Sequence, residues 1–325
     1  MKEETPLGFV VPDSSSPAGP TAADGADGAD GAATGDAAPS SGATVSGTRG
    51  IAAETIPERV GPYRALRILG RGGMGVVYEG VHEATGTRVA LKTAIRDNER
   101  SLVCLRAEIH ALERVSHPGI VRILDRGSDE GVHFYAMDLL EGSTWQEYVE
   151  DIWRDWALRP GAARPRAANG KLEDVLRRAA GLAEALGHLH GMGLVHCDVS
   201  PRNVFVRTDG TTVLMDLGLV SRHRGAVGPE VLEAADLPAG AFGFMAPEQV
   251  LGLSVDARAD LYSLGAVLHV AVTGRSHSRH RPEAPSTLVS DVPAPLDALI
   301  QRLLSPSRTE RPLTAADVVA VLDAL

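Results

Sequence analysis

Little cysteine, little lysine and few aromatic side chains set the first limits on this chain of 325 residues. Its two cysteines, Cys104 and Cys197, cannot build a disulfide framework, so a reducing compartment, the cytoplasm, is the default expectation. No apolar run approaches the roughly eighteen residues of a membrane-spanning helix. The opening Met1-Lys2-Glu3-Glu4 also lacks the basic-then-apolar layout of a secretory leader. A net charge of −10 and a pI near 5.6 speak against a nucleic-acid-binding body. With aromatics at 4%, the core must rest on Leu, Val and Ala. Lysine occurs only as Lys2, Lys92 and Lys171, which makes any lysine inside a folded region worth explaining.

What is present divides the chain in two. Residues 1–58 form an Ala/Gly/Ser/Asp-rich segment that includes the run Ala23-Asp24-Gly25-Ala26-Asp27-Gly28-Ala29-Asp30-Gly31. Such a composition cannot bury enough apolar surface to offset its ordering entropy, and disorder is expected there. From Tyr63 the pattern changes to short strand-like runs: Ala65 to Leu69, Val76 to Val81, Arg88 to Thr93, Ile120 to Leu124 and Val132 to Met137. One helix, around Leu102 to Val115, interrupts them. After Met137 the pattern turns helical. Glu173 to His190 places apolar residues on one face, and further helices are expected over Ala257 to Thr273, Pro295 to Leu304 and Thr314 to Leu325. The stretch 151–170 reads as an extended surface loop within this helical part. A β-rich part followed by an α-rich part predicts an α+β molecule of two lobes with a cleft between them.

The chemistry-bearing residues gather where that cleft would lie. Gly70-Arg71-Gly72-Gly73-Met74-Gly75-Val76-Val77 joins two strand-like runs, where glycines let backbone N–H groups approach phosphate oxygens. It leads into a strand rather than a helix, which counts against a dinucleotide-binding turn. Val89-Ala90-Leu91-Lys92 lies on the next strand and Glu108 on the next helix, a spacing suited to an ion pair that holds an ammonium against phosphates. Further on, Asp198 and Asn203 stand five residues apart in His196-Cys197-Asp198-Val199-Ser200-Pro201-Arg202-Asn203. Asp216-Leu217-Gly218 follows beyond a short Asp209-Gly210 hairpin. A carboxylate to orient a hydroxyl, with an amide and a second carboxylate to hold a metal, is what phosphoryl transfer requires. His277 and His280 lie in a polar loop without a cysteine or carboxylate pair to complete a metal shell.

Taken in order, these stretches resemble the eukaryotic-type protein kinases, and most of all the bacterial serine/threonine kinases. His117-Pro118-Gly119-Ile120-Val121, Ala246-Pro247-Glu248, Asp260-Leu261-Tyr262-Ser263-Leu264-Gly265 and Arg311-Pro312 extend the match over residues 60–325. The resemblance implies a two-lobed kinase domain over 59–325, with a small five-stranded lobe to about residue 139. It implies that ATP is bound by Leu69 to Val77, Ala90, Lys92, Glu108, the gatekeeper Met137, and Asp138 and Leu140 of the hinge. Asp198 becomes the catalytic base or hydroxyl orienter. Asn203 and Asp216 become the ligands of Mg²⁺, with Mn²⁺ as the alternative ion. Glu248 would pair with Arg311, Asp260 would anchor the catalytic loop, and Leu112, Ile123, His196 and Leu217 would stack between the lobes. The implied partners are protein substrates, the chain itself among the candidates, with no nucleic acid and no membrane.

Four positions depart from that pattern. Cys197 replaces the arginine that normally receives an activation-segment phosphate, and between Asp216 and Glu248 the only hydroxyl side chain is that of Ser221. Activity independent of phosphorylation in that segment is therefore expected. Ser200 replaces a lysine that steadies the γ-phosphate, and Arg202 is the expected substitute for its charge. Ala241 stands in place of a threonine, and Leu217 in place of phenylalanine, a mild exchange of one apolar filler for another. The alternatives are a pseudokinase acting as an ATP-binding scaffold and a small-molecule kinase on the same fold. Ala246-Pro247-Glu248 and Arg311 weigh against the second.

Overall fold

The computed structural model describes residues 56–72, 75–94, 99–157, 164–217, 221–222, 243–277 and 283–325. Most of the Ala/Gly/Ser/Asp-rich segment 1–58, together with Gly73, Met74, Gly218, Ala241 and His280, lies outside them.

The amino-terminal lobe is one antiparallel sheet. Its strands are β1 (Arg59–Val60), β2 (Tyr63–Gly72), β3 (Gly75–His82), β4 (Arg88–Thr93), β5 (Ile123–Asp129) and β6 (Val132–Asp138). They are laid side by side in the order β1-β2-β3-β4-β6-β5. Six strands replace the expected five because β1 is two residues long, too short to leave an alternating pattern. The strand expected from Ile120 begins instead at Ile123. The intervening backbone is used elsewhere: Val121 N–H donates to Leu214 O at 3.0 Å and Leu214 N–H to Gly119 O at 2.8 Å. That exchange ties the segment just before β5 to a strand of the second lobe.

β4 is buried at every position after Arg88, since both faces of the sheet are covered there. Val89 and Leu91 pack with Val60, Tyr63, Phe134 and Ala136 on one face. Ala90 joins the main core on the other, where α1 (Glu99–Leu112) contributes Leu105, Ile109 and Leu112.

The second lobe begins with β7 (Gly142–Thr144) and α2 (Trp145–Ala157). Here the structure corrects the first part of the loop expected over 151–170, of which residues 158–163 lie outside the described ones. The helix covers its first seven residues, 151–157, and Ile152 and Trp153 are buried. The Trp153 indole donates to Ala271 O at 3.1 Å. A sequence signal was available in Thr144-Trp145-Gln146-Glu147, a capping box. Glu147 accepts from Thr144 N at 2.8 Å while Thr144 Oγ1 accepts from Glu147 N at 3.2 Å. A 3₁₀ turn, Ala167–Gly170, leads into α3 (Leu172–Gly191), which buries the apolar face read from the sequence: Val175, Leu176, Ala179, Leu182, Leu186 and Leu189.

At the lobe centre runs α5 (Ala257–Thr273), buried at every position from Ala259 to Thr273. Asp256 caps its start by accepting from Arg258 N, and Gly274, at φ 69°, ends it in the left-handed conformation. An α-helix apolar on all sides is a core helix. Around it lie α4 (Pro247–Val250), α6 (Pro285–Leu288), α7 (Ala294–Leu303) and α8 (Ala315–Asp323). His277 leans on this core, its Nε2 at 3.0 Å from the Tyr262 hydroxyl, rather than standing in an open loop. Short strands form the floor beneath the first lobe: β9 (Val204–Arg207) between β7 and β10 (Thr212–Leu214), and β8 (Leu194–Val195) paired with β11 (Ser221–Arg222).

Candidate active site

The strand register brings the small-lobe residues together. Along β4 and β6, Ala90 stands opposite Met137 and Lys92 opposite Tyr135. The gatekeeper candidate Met137 is thus in the core beside Ala90, and Asp138 ends β6, its carboxylate held by Arg122 at 3.0 Å. Leu140, half-buried, packs on the same core. Gly75, at the start of β3, meets the carbonyl of Thr93 so closely that a Cβ would sit 2.1 Å from its oxygen. Any other residue would push the glycine-rich turn away from β4 and its lysine.

Lys92 Nζ lies 2.7 Å from Glu108 Oε2 and 2.9 Å from Asp216 Oδ1. A strand, a helix and a second-lobe loop therefore meet at one ammonium. Burial works against that charge, but the Asp216 and Glu108 carboxylates outweigh it, and the lysine pKa is raised. Glu108 is pushed up to about 7 by burial and by the nearby Asp216 charge.

The second-lobe residues are set by a loop with two left-handed backbone turns at non-glycine positions, Cys197 at φ 67° and Asp216 at φ 59°. Such conformations cost on the order of 1–2 kcal/mol each and persist only where neighbours hold them. At Cys197 the holders are visible: its N–H donates to Asp260 Oδ1 at 2.8 Å, and its carbonyl accepts from Gln249 Nε2 at 2.7 Å. Asp260 also accepts from His196 N at 2.8 Å and from His190 Nε2 at 2.8 Å. These bonds outweigh its complete burial, and its pKa stays below the usual carboxylate value. The expected anchor is therefore in place, with His190 as a partner the sequence did not disclose.

His196 is fully buried, and burial lowers its pKa. Its Nδ1 accepts from Asp198 N at 3.2 Å, and its Nε2 stands 3.0 Å from Met215 O, an arrangement that suits a neutral ring protonated at Nε2. It braces the loop and Met215, as expected of a structural histidine. Asp198, only partly exposed, is bound by one side chain among the described residues: Asn203 Nδ2 donates to its Oδ2 at 2.8 Å and to its carbonyl at 2.9 Å. Burial first, then the Asp216 charge, raises Asp198 to about 7.

Asn203 spends its NH₂ on Asp198, and its amide oxygen is not part of either bond. An amide oxygen and a carboxylate, the groups Asn203 and Asp216 carry, are hard donors of the kind a magnesium-sized ion takes, the remaining ligands coming from phosphates and water. Among the described residues no group of three or more His, Cys, Asp or Glu side chains forms a self-sufficient metal cage. Leu112 and Leu217 lie in the core, Ile123 packs against it, and Glu248 pairs with Arg311 through bonds of 2.6 and 2.9 Å.

Arg202 stands apart from this cluster. It is exposed, and its Nε donates to Gln146 Oε1 on α2 at 3.1 Å, while Ser200 is buried. Gln146 was not legible as a site residue, because its contact depends on where α2 begins.

A β lobe over an α lobe, with a Lys–Glu–Asp cluster facing an Asp–Asn pair, is the layout of a phosphoryl-transfer cleft. The protein kinase domain family matches residues 63–320, and the chain belongs to that family. It is 37% identical over 224 residues to the DNA damage-responsive serine/threonine-protein kinase RqkA of Deinococcus radiodurans, covering 66% of this chain and 30% of that protein. It is 32% identical over 273 residues to the serine/threonine-protein kinase Pkn1 of Myxococcus xanthus, covering 78% of this chain and 36% of the relative. The chain thus spans about a third of the length of the curated relatives it matches. Among solved structures, the PknI kinase domain of Mycobacterium tuberculosis matches with a TM-score of 0.60 and 26% identity, over 82% of this chain and 97% of that one. Membership of the family carries with it the use of ATP and a divalent cation.

Proposed function

We propose that the chain is a serine/threonine protein kinase that transfers the γ-phosphoryl group of ATP to protein hydroxyls, working in the cytoplasm with Mg²⁺ or Mn²⁺. Its kinase domain is taken as 59–325, with 1–58 as a leader. The observation that carries the reading is the junction at Lys92, where one ammonium is shared by Glu108 and Asp216 at 2.7 and 2.9 Å. Residues 69–77, Ala90, Met137, Asp138 and Leu140 surround the nucleotide. Lys92, oriented by Glu108, binds its phosphates. Asn203 and Asp216 hold the cation, which when bound neutralises charge on the phosphate oxygens. Asp198 orients the acceptor hydroxyl and takes its proton, a task matched by a pKa near neutrality.

No phosphorylation switch in the activation segment is required on this reading. Cys197 is buried and offers no cation to a phosphate, and Ser221 is the only hydroxyl between Asp216 and Glu248. Transfer of label from radioactive ATP–Mg²⁺ to generic protein substrates and to the chain itself tests the proposal. Wild type should label above Lys92→Met and Asp198→Asn. Equal labelling of all three, with ATP still bound, would reject the enzyme and leave a nucleotide-binding scaffold.

A further inference from the structure

The catalytic loop carries a cation that the phosphate-binding cluster does not use. Arg202 lies between Asp198 and Asn203 in sequence, yet its side chain turns to α2 rather than to Asp198. Three bonds fix that direction. Arg202 Nε donates to Gln146 Oε1 at 3.1 Å, Gln146 N donates to Pro201 O at 3.0 Å, and Gln146 Nε2 donates to Glu150 Oε1 at 2.9 Å. The Gln146 amide therefore stands between the guanidinium and the only carboxylate in that chain of bonds. Glu147, the next acid on the helix, is committed to Thr144 N and Oγ1.

With Nε spent on Gln146, the two terminal nitrogens of Arg202 have no carboxylate partner among the described residues, and the side chain is exposed. A guanidinium held at one edge presents its remaining donors as a fork, the geometry that binds a carboxylate with two parallel bonds. Four residues along the same loop is Asp198, where the acceptor hydroxyl must come. A peptide entering with its hydroxyl at Asp198 passes the guanidinium within a few residues, because an extended chain advances only about 3.3 Å per residue. A lysine or arginine at that place in the peptide would meet like charge, and an acid would meet its complement.

We infer that Arg202, positioned by Gln146, is a specificity-determining residue that selects protein substrates with an aspartate or glutamate close to the acceptor hydroxyl. The inference rests on the protein-kinase reading of the site and deepens it. It also gives Arg202 a different part from replacing the γ-phosphate lysine lost at Ser200. A γ-phosphate contact would help every substrate equally, whereas a substrate contact discriminates among them.

The test is a peptide array with one serine or threonine in a neutral background. Asp, Ala or Lys is placed at each position within about four residues of it, the ~13 Å such a chain can reach. Wild type should favour Asp over Lys at one or more positions by roughly tenfold in kcat/KM. Arg202→Glu should reverse the preference at the same positions, and Arg202→Lys should keep its sign. Gln146→Ala should shrink it by a few-fold, mainly through KM for the peptide, with KM for ATP unchanged. Retained acid preference in Arg202→Glu would overturn the inference. So would an equal loss on all peptides, or a wild type indifferent to charge. If wild type labels no peptide and no protein above Asp198→Asn, the kinase reading itself fails and takes this inference with it.

Discussion

Asp198 and Asp260 serve the same short loop, and their surroundings drive their carboxyl groups in opposite directions. Asp260 is fully buried and receives donors from His196 N, Cys197 N and His190 Nε2, which hold its pKa below the ordinary value. Asp198, partly exposed, receives one amide donor, from Asn203, and faces the Asp216 charge, so its pKa rises to about 7. Burial raises both. What separates them is the set of donors that meets the charged form at Asp260 and the like charge of Asp216 that faces Asp198. Three donors on Asp260 hold the loop backbone at His196 and Cys197, while the raised pKa of Asp198 matches the proton-accepting part proposed for it.

The largest effect should come from exchanging the two residues' fates. Asp198→Asn should lower phosphoryl transfer by about 10²–10⁴-fold without lowering the melting temperature at neutral pH, measured by label transfer and calorimetry. Asp260→Asn should do the reverse in stability. An amide sets its own N–H groups against backbone donors, for a cost of about 2–4 kcal/mol and a melting point lower by roughly 5–10 °C. If Asp260→Asn melted like wild type, its role as anchor would be lost.

A smaller effect separates the pair by pH. Asp260 binds its proton less tightly folded than unfolded, so its contribution is present above the ordinary carboxyl range near 4 and is lost as pH falls through its depressed folded value. Asp198 binds its proton more tightly folded. Its ionisation therefore subtracts stability as pH rises from that range through about 7. Relative to wild type, Asp198→Asn should consequently melt higher at about pH 8 than it does at about pH 5. A gap that does not change with pH would argue that the two carboxyls are not tuned apart. The smallest effect concerns the activation segment: phosphatase treatment or Ser221→Ala should change the rate by less than about twofold. A large loss reversed by rephosphorylation of that segment would restore the switch that Cys197 argues against.

Much of this arrangement was legible in the residues. Lys92 stood out because lysine is so scarce, and the helix from Ala257 to Thr273 was readable to its ends because Asp256 and Gly274 mark them. The acidic cluster was identified through its spacing. What escaped depends on contacts between distant segments. His190 reaches Asp260 across 70 residues, and Gln249 reaches Cys197 across 52, with no local pattern to announce either. The start of β5 is hidden in the sequence because Ile120 and Val121 are apolar enough for a strand of the first lobe, yet their backbone pairs with Leu214 of the second. Around 151–170, the Pro- and Arg-rich stretch after residue 158 masks the helical pattern of the residues before it. The capping box at Thr144 and Glu147 and the buried Trp153 show that a helix comes first.

The contrast between the two aspartates comes down to the proton affinity of Asp198 in the working enzyme. The pH dependence of kcat/KM for a protein substrate, followed from about pH 5 to about pH 9, measures it in the free enzyme. The account predicts a rate that climbs with pH and bends near 7, the value to which burial and Asp216 raise Asp198. A rate flat across that range, as an Asp ionising near its ordinary value of 3.8 would give, would contradict it.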